Sequence, residues 1–278
     1  MLDTPNPSAA PAALQRARGD GRVTAKARDG RSVLDTLYQS GCAKIRTPRT
    51  HGKAIEAVLI NSSGGLTGGD EMAWTAKAGP DAHLVVTTQA CERVYRSVGG
   101  SAAVANRIEI GPGARVDWLP QETILFEDSA LSRRLEVDMA PDAVFFGLEA
   151  VILGRKARGE HAERAALRES WRIRRAGTLV HAEEGQLAAG DMLARANRAL
   201  LDGAGAFATL CYVAPDAERR IGEIKDRTAR FATAGASLVG DRIVVRALAP
   251  TGYELRKIIV PLVAALSQNG AIPRLWSL

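Results

Sequence analysis

Along most of the chain, hydrophobic and polar residues alternate with the period of a β-strand. The clearest case is residues 131–139, where only Arg133 places a charge on the otherwise apolar face. Such alternation is typical of a half-buried strand. Residues 114–119 and 171–174 follow the same pattern, whereas residues 143–153 are almost wholly apolar. The latter segment is predicted to be a strand covered on both faces.

Helical periodicity is confined to the C-terminal third. A helix is predicted from Asp216 as its N-cap, with apolar residues at helical spacing as far as Phe231. A second is predicted from the capping-box pattern at residues 251–254, and Pro261 inside its apolar stripe predicts a kink or a break. Residues 191–201 predict a short third helix.

Glycine and proline punctuate the strand-like segments, at residues 79–80, 99–100, 111–113 and 141. Many short strands between such turns favour a mainly β fold of stacked β-sheets, with two or three helices in the C-terminal third. No internal repeat or linker is evident. We therefore expect a single domain over residues 21–278, preceded by a disordered Pro/Ala-rich tail over residues 1–20.

Composition narrows the functional classes. Of 278 residues, 46% are hydrophobic and 5% aromatic, and the formal charge of +6 arises from nearly balanced signs, which suits a mixed, soluble surface. Cys42, Cys91 and Cys211 are widely spaced, as in reduced cytosolic thiols rather than a disulfide framework. Neither a signal peptide nor an apolar run of membrane-spanning length is present, so we expect a cytoplasmic protein with no membrane partner.

The glycine-rich segment at residues 61–70 does not fit a phosphate-binding loop. Asp70 stands where such a loop needs lysine, and a carboxylate there would repel phosphates. We expect instead a tight loop in which glycines allow positive φ and close backbone approach. Its glycines are Gly64, Gly65, Gly68 and Gly69.

Other catalytic or binding chemistry is weakly represented. The four histidines are not paired at metal-ligand spacing, so we predict neither a tight metal site nor a tightly bound cofactor. Glu122 and Glu127 leave open a β-rich hydrolase, and the basic segment 155–175 leaves open a nucleic-acid-binding module. Residues 84–90 predict a strand that carries Thr87, Thr88 and Gln89, which either bond across strands or line a wet channel.

Five segments together resemble the UreD/UreH family of urease accessory proteins. They are residues 61–70 (NSSGGLTGGD), 87–96 (TTQACERVYR), 118–126 (WLPQETILF), 153–160 (LGRKARGE) and 273–276 (PRLW). Arg93 replaces the family's more usual lysine. Each segment alone is a weak match, but all five occur in the family's order and spacing.

The resemblance implies a non-enzymatic scaffold that binds a UreF-type partner, through it a UreG-type GTPase, and the urease apoprotein. It also implies help with nickel insertion, with Ni²⁺ in transient passage through an internal route. A conduit must hold its ion weakly, which neutral oxygens and scattered carboxylates allow. Candidate residues for the route are Asp70, Thr87, Thr88, Gln89, Glu122 and Glu149.

Overall fold

The computed structural model describes residues 15–50, 52–191, 195–268 and 272–277. Two sheets face each other. Sheet A consists of β1 (Arg18–Arg28), β2 (Arg31–Gly41), β5 (Glu71–Ala78), β8 (Ala102–Ile110), β11 (Ala130–Met139), β13 (Ala166–Arg175) and β14 (Thr178–Leu187). Sheet B consists of β3 (Ala43–Arg46), β4 (Ile55–Asn61), β6 (His83–Thr88), β9 (Arg115–Leu119), β12 (Val144–Leu153), β15 (Ala206–Val213), β16 (Ala234–Val239) and β17 (Arg242–Ala249).

Shorter elements complete the fold. The strands β7 (Glu92–Val94) and β10 (Thr123–Leu125) extend sheet B beside the end of β12. The α-helices α1 (Ala217–Thr228) and α2 (Gly252–Leu266) follow. The predicted mainly β fold, with its helices in the C-terminal region, is confirmed. Within the described part of the chain, no helix is long and apolar enough to cross a membrane.

Between β4 and β13 the chain winds back and forth between the two sheets. The strands β5, β8, β11 and β13 of sheet A pair in parallel, as do β4, β6, β9 and β12 of sheet B. Parallel strands need cover on both faces. The inner face of sheet B packs on sheet A, and the helices cover its outer face.

The strand β12 shows why residues 143–153 are so apolar. Phe145 and Val151 belong to the core between the sheets, whereas Phe146, Leu148 and Ala150 belong to the core under the helices. The predicted burial of this strand on both faces is confirmed.

A short repeat marks the turns of this winding chain. Residues 78–82 (AGPDA), 110–114 (IGPGA) and 139–143 (MAPDA) each connect a strand of sheet A to one of sheet B. In each, the alanine N–H donates to the carbonyl oxygen three residues earlier, at 3.1–3.2 Å. The expectation of no internal repeat therefore needs correction. The strands do not reveal the repeat, because their residues need only alternate between polar and apolar. The turn geometry, in contrast, restricts which residue types can occupy each position.

Of three predictions about the C-terminal helices, two need adjustment and one is confirmed. The first helix begins after Asp216 as expected, but the Asp216 side chain makes no capping bond and accepts instead from the Tyr212 hydroxyl and Arg220 Nε. In α2, Thr251 Oγ1 accepts from Glu254 N at 3.2 Å, as predicted. The helix continues through Pro261 without the predicted break. Its buried residues lie on both sides of the proline, so packing stabilises both halves.

The structure also differs from the predictions near the N-terminus and at residues 191–201. The strand β1 begins at Arg18, inside the segment expected to be disordered, while residues 1–14 lie outside the described part. Of the expected short helix at residues 191–201, residues 192–194 are likewise outside it. Arg195 and Ala196 are helical, and residues 198–203 form turns.

Candidate functional site

Four of the five family-like segments meet where β6, β9 and β12 end. β7, from segment 87–96, pairs in parallel with β10, from segment 118–126, and β10 pairs in turn with the end of β12. The glycine loop joins through Leu66, whose N–H donates to the Arg93 carbonyl at 2.7 Å. Segment 153–160 joins through Gly154, whose N–H donates to the Leu125 carbonyl at 2.8 Å. Residues distant in sequence thus form one compact corner.

The glycine loop is tight, as predicted. Gly65 has φ +150°, and a β-carbon there would lie 2.4 Å from the Tyr95 ring and 2.7 Å from the Arg93 carbonyl oxygen. The Asp70 carboxylate accepts from Ala17 N and Thr67 N, each at 2.8 Å. Asp70 therefore fastens the loop to the segment that enters β1.

The fifth segment packs against the other face of sheet B. The buried Trp276 donates through Nε1 to Thr87 Oγ1 at 3.2 Å and to the Leu119 carbonyl at 3.0 Å. Arg256, on α2, lies over the Trp276 ring, 5.6 Å from its centroid. Thr87 thus anchors the C-terminal segment and faces away from the space between the sheets.

Arg256 also holds Glu122. Its Nε and Nη2 lie 2.6 and 2.9 Å from the two carboxylate oxygens. Burial opposes ionisation of Glu122, but the bonds from Arg256 outweigh it and keep the pKa of Glu122 below its ordinary value. Cys91 Sγ lies 3.3 Å from Glu122 Oε2, and burial together with this carboxylate raises the pKa of the Cys91 thiol to about 11.

A small cavity of about 50 Å³, lined by apolar and polar residues, lies between the sheets. A volume of this size admits a few water molecules. Trp74 and Trp118 contribute to its walls. The polar residues that line it are Thr88, Glu92, Asn106, Gln121, Thr123, Arg133 and Glu149.

A buried charge cluster forms one wall of this cavity. Arg133 Nε donates to Glu169 Oε1 at 3.0 Å, and its Nη1 donates to Thr123 Oγ1 at 2.9 Å. Its Nη1 also lies 2.6 Å from Glu149 Oε2. Trp118 Nε1 donates to the other oxygen of Glu149 at 2.9 Å. The charge that interrupts the β11 alternation is therefore the centre of an interior network.

Glu149 has an unusual protonation equilibrium. Burial raises its pKa strongly, Arg133 opposes the rise, and the nearby Glu169 charge adds to it. The pKa of Glu149 is about 7 as a result. This carboxyl can therefore exchange a proton near neutral pH.

Two surface depressions adjoin the interior. A cleft of about 250 Å³ is lined by Asn61, Gln89 and Cys91, among others, and Glu92 lines both this cleft and the cavity. Asn61 Nδ2 lies 3.2–3.3 Å from the Glu92 carboxylate oxygens. Burial raises the pKa of Glu92. Glu92 thus lies at the boundary between the cleft and the cavity, together with Leu59, Trp74 and Thr88.

On the far side, Glu169 lines a groove of about 330 Å³ together with Glu183, Thr209 and Arg246. Arg246 Nη1 lies 2.6 Å from Glu183 Oε1. Burial opposes ionisation of Glu183, but His181 and Arg246 outweigh it and lower the pKa of Glu183 to about 2. The charge cluster therefore stands between the cavity and this groove.

The structure divides the six candidate route residues. Thr88 and Glu149 line the cavity and Gln89 lines the cleft. Thr87, Asp70 and Glu122 instead hold Trp276, the glycine loop and Arg256.

Sequence reasoning missed several polar side chains that face the interior: Glu92, Asn106, Thr123 and Glu169. Asn106 and Glu169, like Arg133, are polar residues on the apolar face of a strand. That interruption of the alternation is the signal that could have found them.

The residues behind the alternative functions are engaged elsewhere. The Glu127 carboxylate accepts from Glu163 N and Arg164 N, each at 2.9 Å. In the basic segment, Arg164 Nε lies 2.7 Å from Asp128 Oδ1, and β13 forms a hairpin with β14. Among the described residues, which exclude His51, no three His, Cys, Asp or Glu side chains converge as metal ligands.

Comparison with known proteins places the chain among urease accessory proteins. A family model described as UreD urease accessory protein matches residues 17–277. A protein of Chelativorans sp. (strain BNC1), named urease accessory protein UreD, is 54% identical over 278 residues, covering 100% of both chains. Proteins of the same name from Sinorhizobium medicae and Rhizobium etli are 52% and 50% identical, over 98% and 95% of this chain and 99% and 96% of theirs.

The glycine loop yields a steric prediction. Gly64 and Gly65 both have positive φ, but only Gly65 has close neighbours. Gly64→Ala should lower the free energy of unfolding by about 1 kcal/mol, and Gly65→Ala by roughly 3 kcal/mol or more. Urea denaturation of both variants checks this, and equal losses would contradict the packing described for Tyr95.

Glu149 yields a pH prediction. Its pKa of about 7 exceeds the ordinary 4.5, so the folded chain binds this proton more tightly than the unfolded chain. The stabilising contribution is complete below about pH 4.5 and is lost as the pH rises to about 7. Urea denaturation across this range should show that Glu149→Gln, which stays neutral, has a smaller pH dependence than the parent. Parallel profiles would contradict the assignment.

Proposed function

The chain belongs to the UreD family of urease accessory proteins, and we propose that its part in urease maturation is to guide Ni²⁺ through its interior while it binds partner proteins. The observation that carries this proposal is a series of three neighbouring spaces, the cleft, the cavity and the groove, each lined in part by polar side chains. The cleft and the cavity share Glu92. The cluster of Arg133, Glu149 and Glu169 connects the cavity to the groove, because Arg133 and Glu149 line the cavity and Glu169 lines the groove.

The lining of this route suits passage rather than retention. Neutral oxygens come from Thr88, Asn106 and Thr123, while Glu92 and Glu149 supply carboxylates at separate places. Oxygen ligands hold a borderline cation such as Ni²⁺ less firmly than several imidazoles or thiolates would. An ion that keeps part of its hydration shell can then move from one group to the next.

The other half of the proposed role is assembly. The chain acts as a non-catalytic cytoplasmic scaffold that binds a UreF-type accessory protein, engages a UreG-type GTPase through it, and contacts the urease apoprotein. The contacts of Asp70 support the assignment of nucleotide binding to a partner rather than to this chain. Its carboxylate holds the glycine loop in place at the position where a nucleotide-binding loop needs a lysine. Nucleotide hydrolysis is assigned to the GTPase partner.

The two alternative functions receive less support from the geometry. A hydrolase would need a carboxylate free to exchange protons with its substrate. Both Glu122 and Glu127 are committed to hydrogen bonds within the chain. A nucleic-acid surface would need unpaired basic groups, whereas Arg155, Arg164 and Arg172 lie beside carboxylates.

Thr87 and Thr88 offer a matched test of the route. They are adjacent, and each hydroxyl accepts one hydrogen bond, from Trp276 Nε1 and from Gln121 N respectively. Valine at either position removes one such bond, worth about 1 kcal/mol. Only Thr88→Val places a methyl group against the cavity.

Urease and the other accessory proteins are co-expressed in four ways: without this chain, with the parent chain, with Thr87→Val, and with Thr88→Val. The nickel content of the purified urease is then measured. Omitting the chain should leave urease largely without nickel. Thr88→Val should lower the nickel content several-fold, and Thr87→Val should leave it near the parent level, with both variants still binding the UreF-type partner. Equal nickel contents for the two variants would remove the cavity from the route, and normal metallation without the chain would overturn the proposed function.

A further inference from the structure

Arg133 occupies the place where the proposed route is narrowest. Its side chain is 6% exposed and lies between two carboxylates, Glu149 on the cavity side and Glu169 on the groove side. A buried ion pair of this kind is maintained only when the partners compensate for the loss of hydration. The guanidinium is therefore the resident cation of this part of the interior.

Its bonds to the two sides come from different nitrogens. Toward the groove, Arg133 Nε donates to Glu169 Oε1, whereas Nη1 donates to Thr123 Oγ1, which lines the cavity. Toward the cavity, Nη1 is 2.6 Å from Glu149 Oε2, but this oxygen accepts no hydrogen bond from any described group. The contacts with the two carboxylates use different guanidinium nitrogens, Nη1 for Glu149 and Nε and Nη2 for Glu169, so the contact with Glu149 can be released while the contact with Glu169 remains.

A second buried oxygen in the same cavity also lacks a partner. Asn106 is 3% exposed, and its Oδ1 accepts no hydrogen bond from any described group. Asn106 enters the cavity from sheet A and Glu149 enters it from sheet B. An amide and a carboxylate thus line one small cavity from opposite sheets, and their oxygens are ligands suited to a hydrated divalent cation.

We propose that Arg133 is an exchangeable counter-cation: a divalent cation replaces its guanidinium beside Glu149 and Asn106, and Arg133 returns when the ion leaves. This inference rests on the proposed function, because it assumes that the ion enters the cavity. During exchange, Arg133 keeps its Nε bond to Glu169 and gives up only its charge contact with Glu149. Competition between the guanidinium and the ion keeps the ion weakly bound, so Arg133 prevents the cavity from becoming a trap.

The test replaces the competing charge by a neutral side chain of similar length. The full chain carrying Arg133→Met is equilibrated with Ni²⁺ alone, and bound nickel is measured by equilibrium dialysis. One additional Ni²⁺ per chain should bind at least tenfold more tightly than in the parent. The double variant Arg133→Met/Glu149→Gln is the control, and it should lose this gain. The same gain in the double variant, or no gain in folded Arg133→Met, would overturn the proposal.

Removing Arg133 leaves Glu149 and Glu169 without their buried partner, which can prevent folding, so soluble yield provides a second readout. If Arg133→Met is insoluble, adding Ni²⁺ during expression should restore soluble protein, because an ion that binds only the folded state stabilises it. The double variant should show no such rescue. Failure of Ni²⁺ to rescue Arg133→Met would overturn the proposal as well.

The nickel content of co-expressed urease separates this inference from the proposed function. A gain of Ni²⁺ binding with lower urease nickel supports both, because the ion is then trapped in the cavity. A gain of binding with unchanged urease nickel supports the exchange at Arg133 and places the route elsewhere.

Discussion

The pairing of Arg133 with Glu149 and Glu169 between the two sheets constrains the whole interior. Each ion costs several kcal/mol to remove from water, and only close opposite charges offset that cost. The three side chains come from β11, β12 and β13, which alternate between the sheets along the chain. Their pairing therefore ties sheet A to sheet B at a point where an apolar core would otherwise be continuous.

This polar interior also explains the dense hydrogen bonding around it. Strand ends that carry polar residues toward a cavity need their backbone groups satisfied elsewhere. The glycine loop, β7, β10 and the turn after β12 do this by pairing with one another. The segments that resemble the UreD family thus act mainly through backbone geometry. Among their side chains, Asp70 fastens the glycine loop to the segment that enters β1, and Trp276 fastens the C-terminal segment to sheet B.

Periodicity was sufficient to predict the fold class and the burial of β12, because alternation and apolar runs follow directly from which faces are covered. The parallel winding could not be predicted in this way, since alternation is the same in parallel and antiparallel strands. The repeated turn at residues 78–82, 110–114 and 139–143 does carry that information. A proline or aspartate in a single turn carries little information. The same turn sequence at successive crossings indicates that the chain repeats one path from sheet A to sheet B.

The candidate site was only partly predictable for a related reason. Glu149 stands out because it interrupts an apolar strand, and Arg133 interrupts an alternating one. Their proximity depends on the register between β11 and β13 and on the packing of the sheets, which no local pattern specifies. Conversely, Thr87 and Thr88 are equivalent in sequence, and only the position of Trp276 shows that they face different surroundings.

The most direct measurement is the location of nickel in crystals of the chain, with its partner where needed, after soaking in Ni²⁺. Anomalous scattering at the nickel absorption edge locates the ion without assumptions about its ligands. We expect a peak in the interior cavity beside Glu149 and Asn106. Peaks confined to the outer surface, with the cavity free of nickel, would contradict an interior passage.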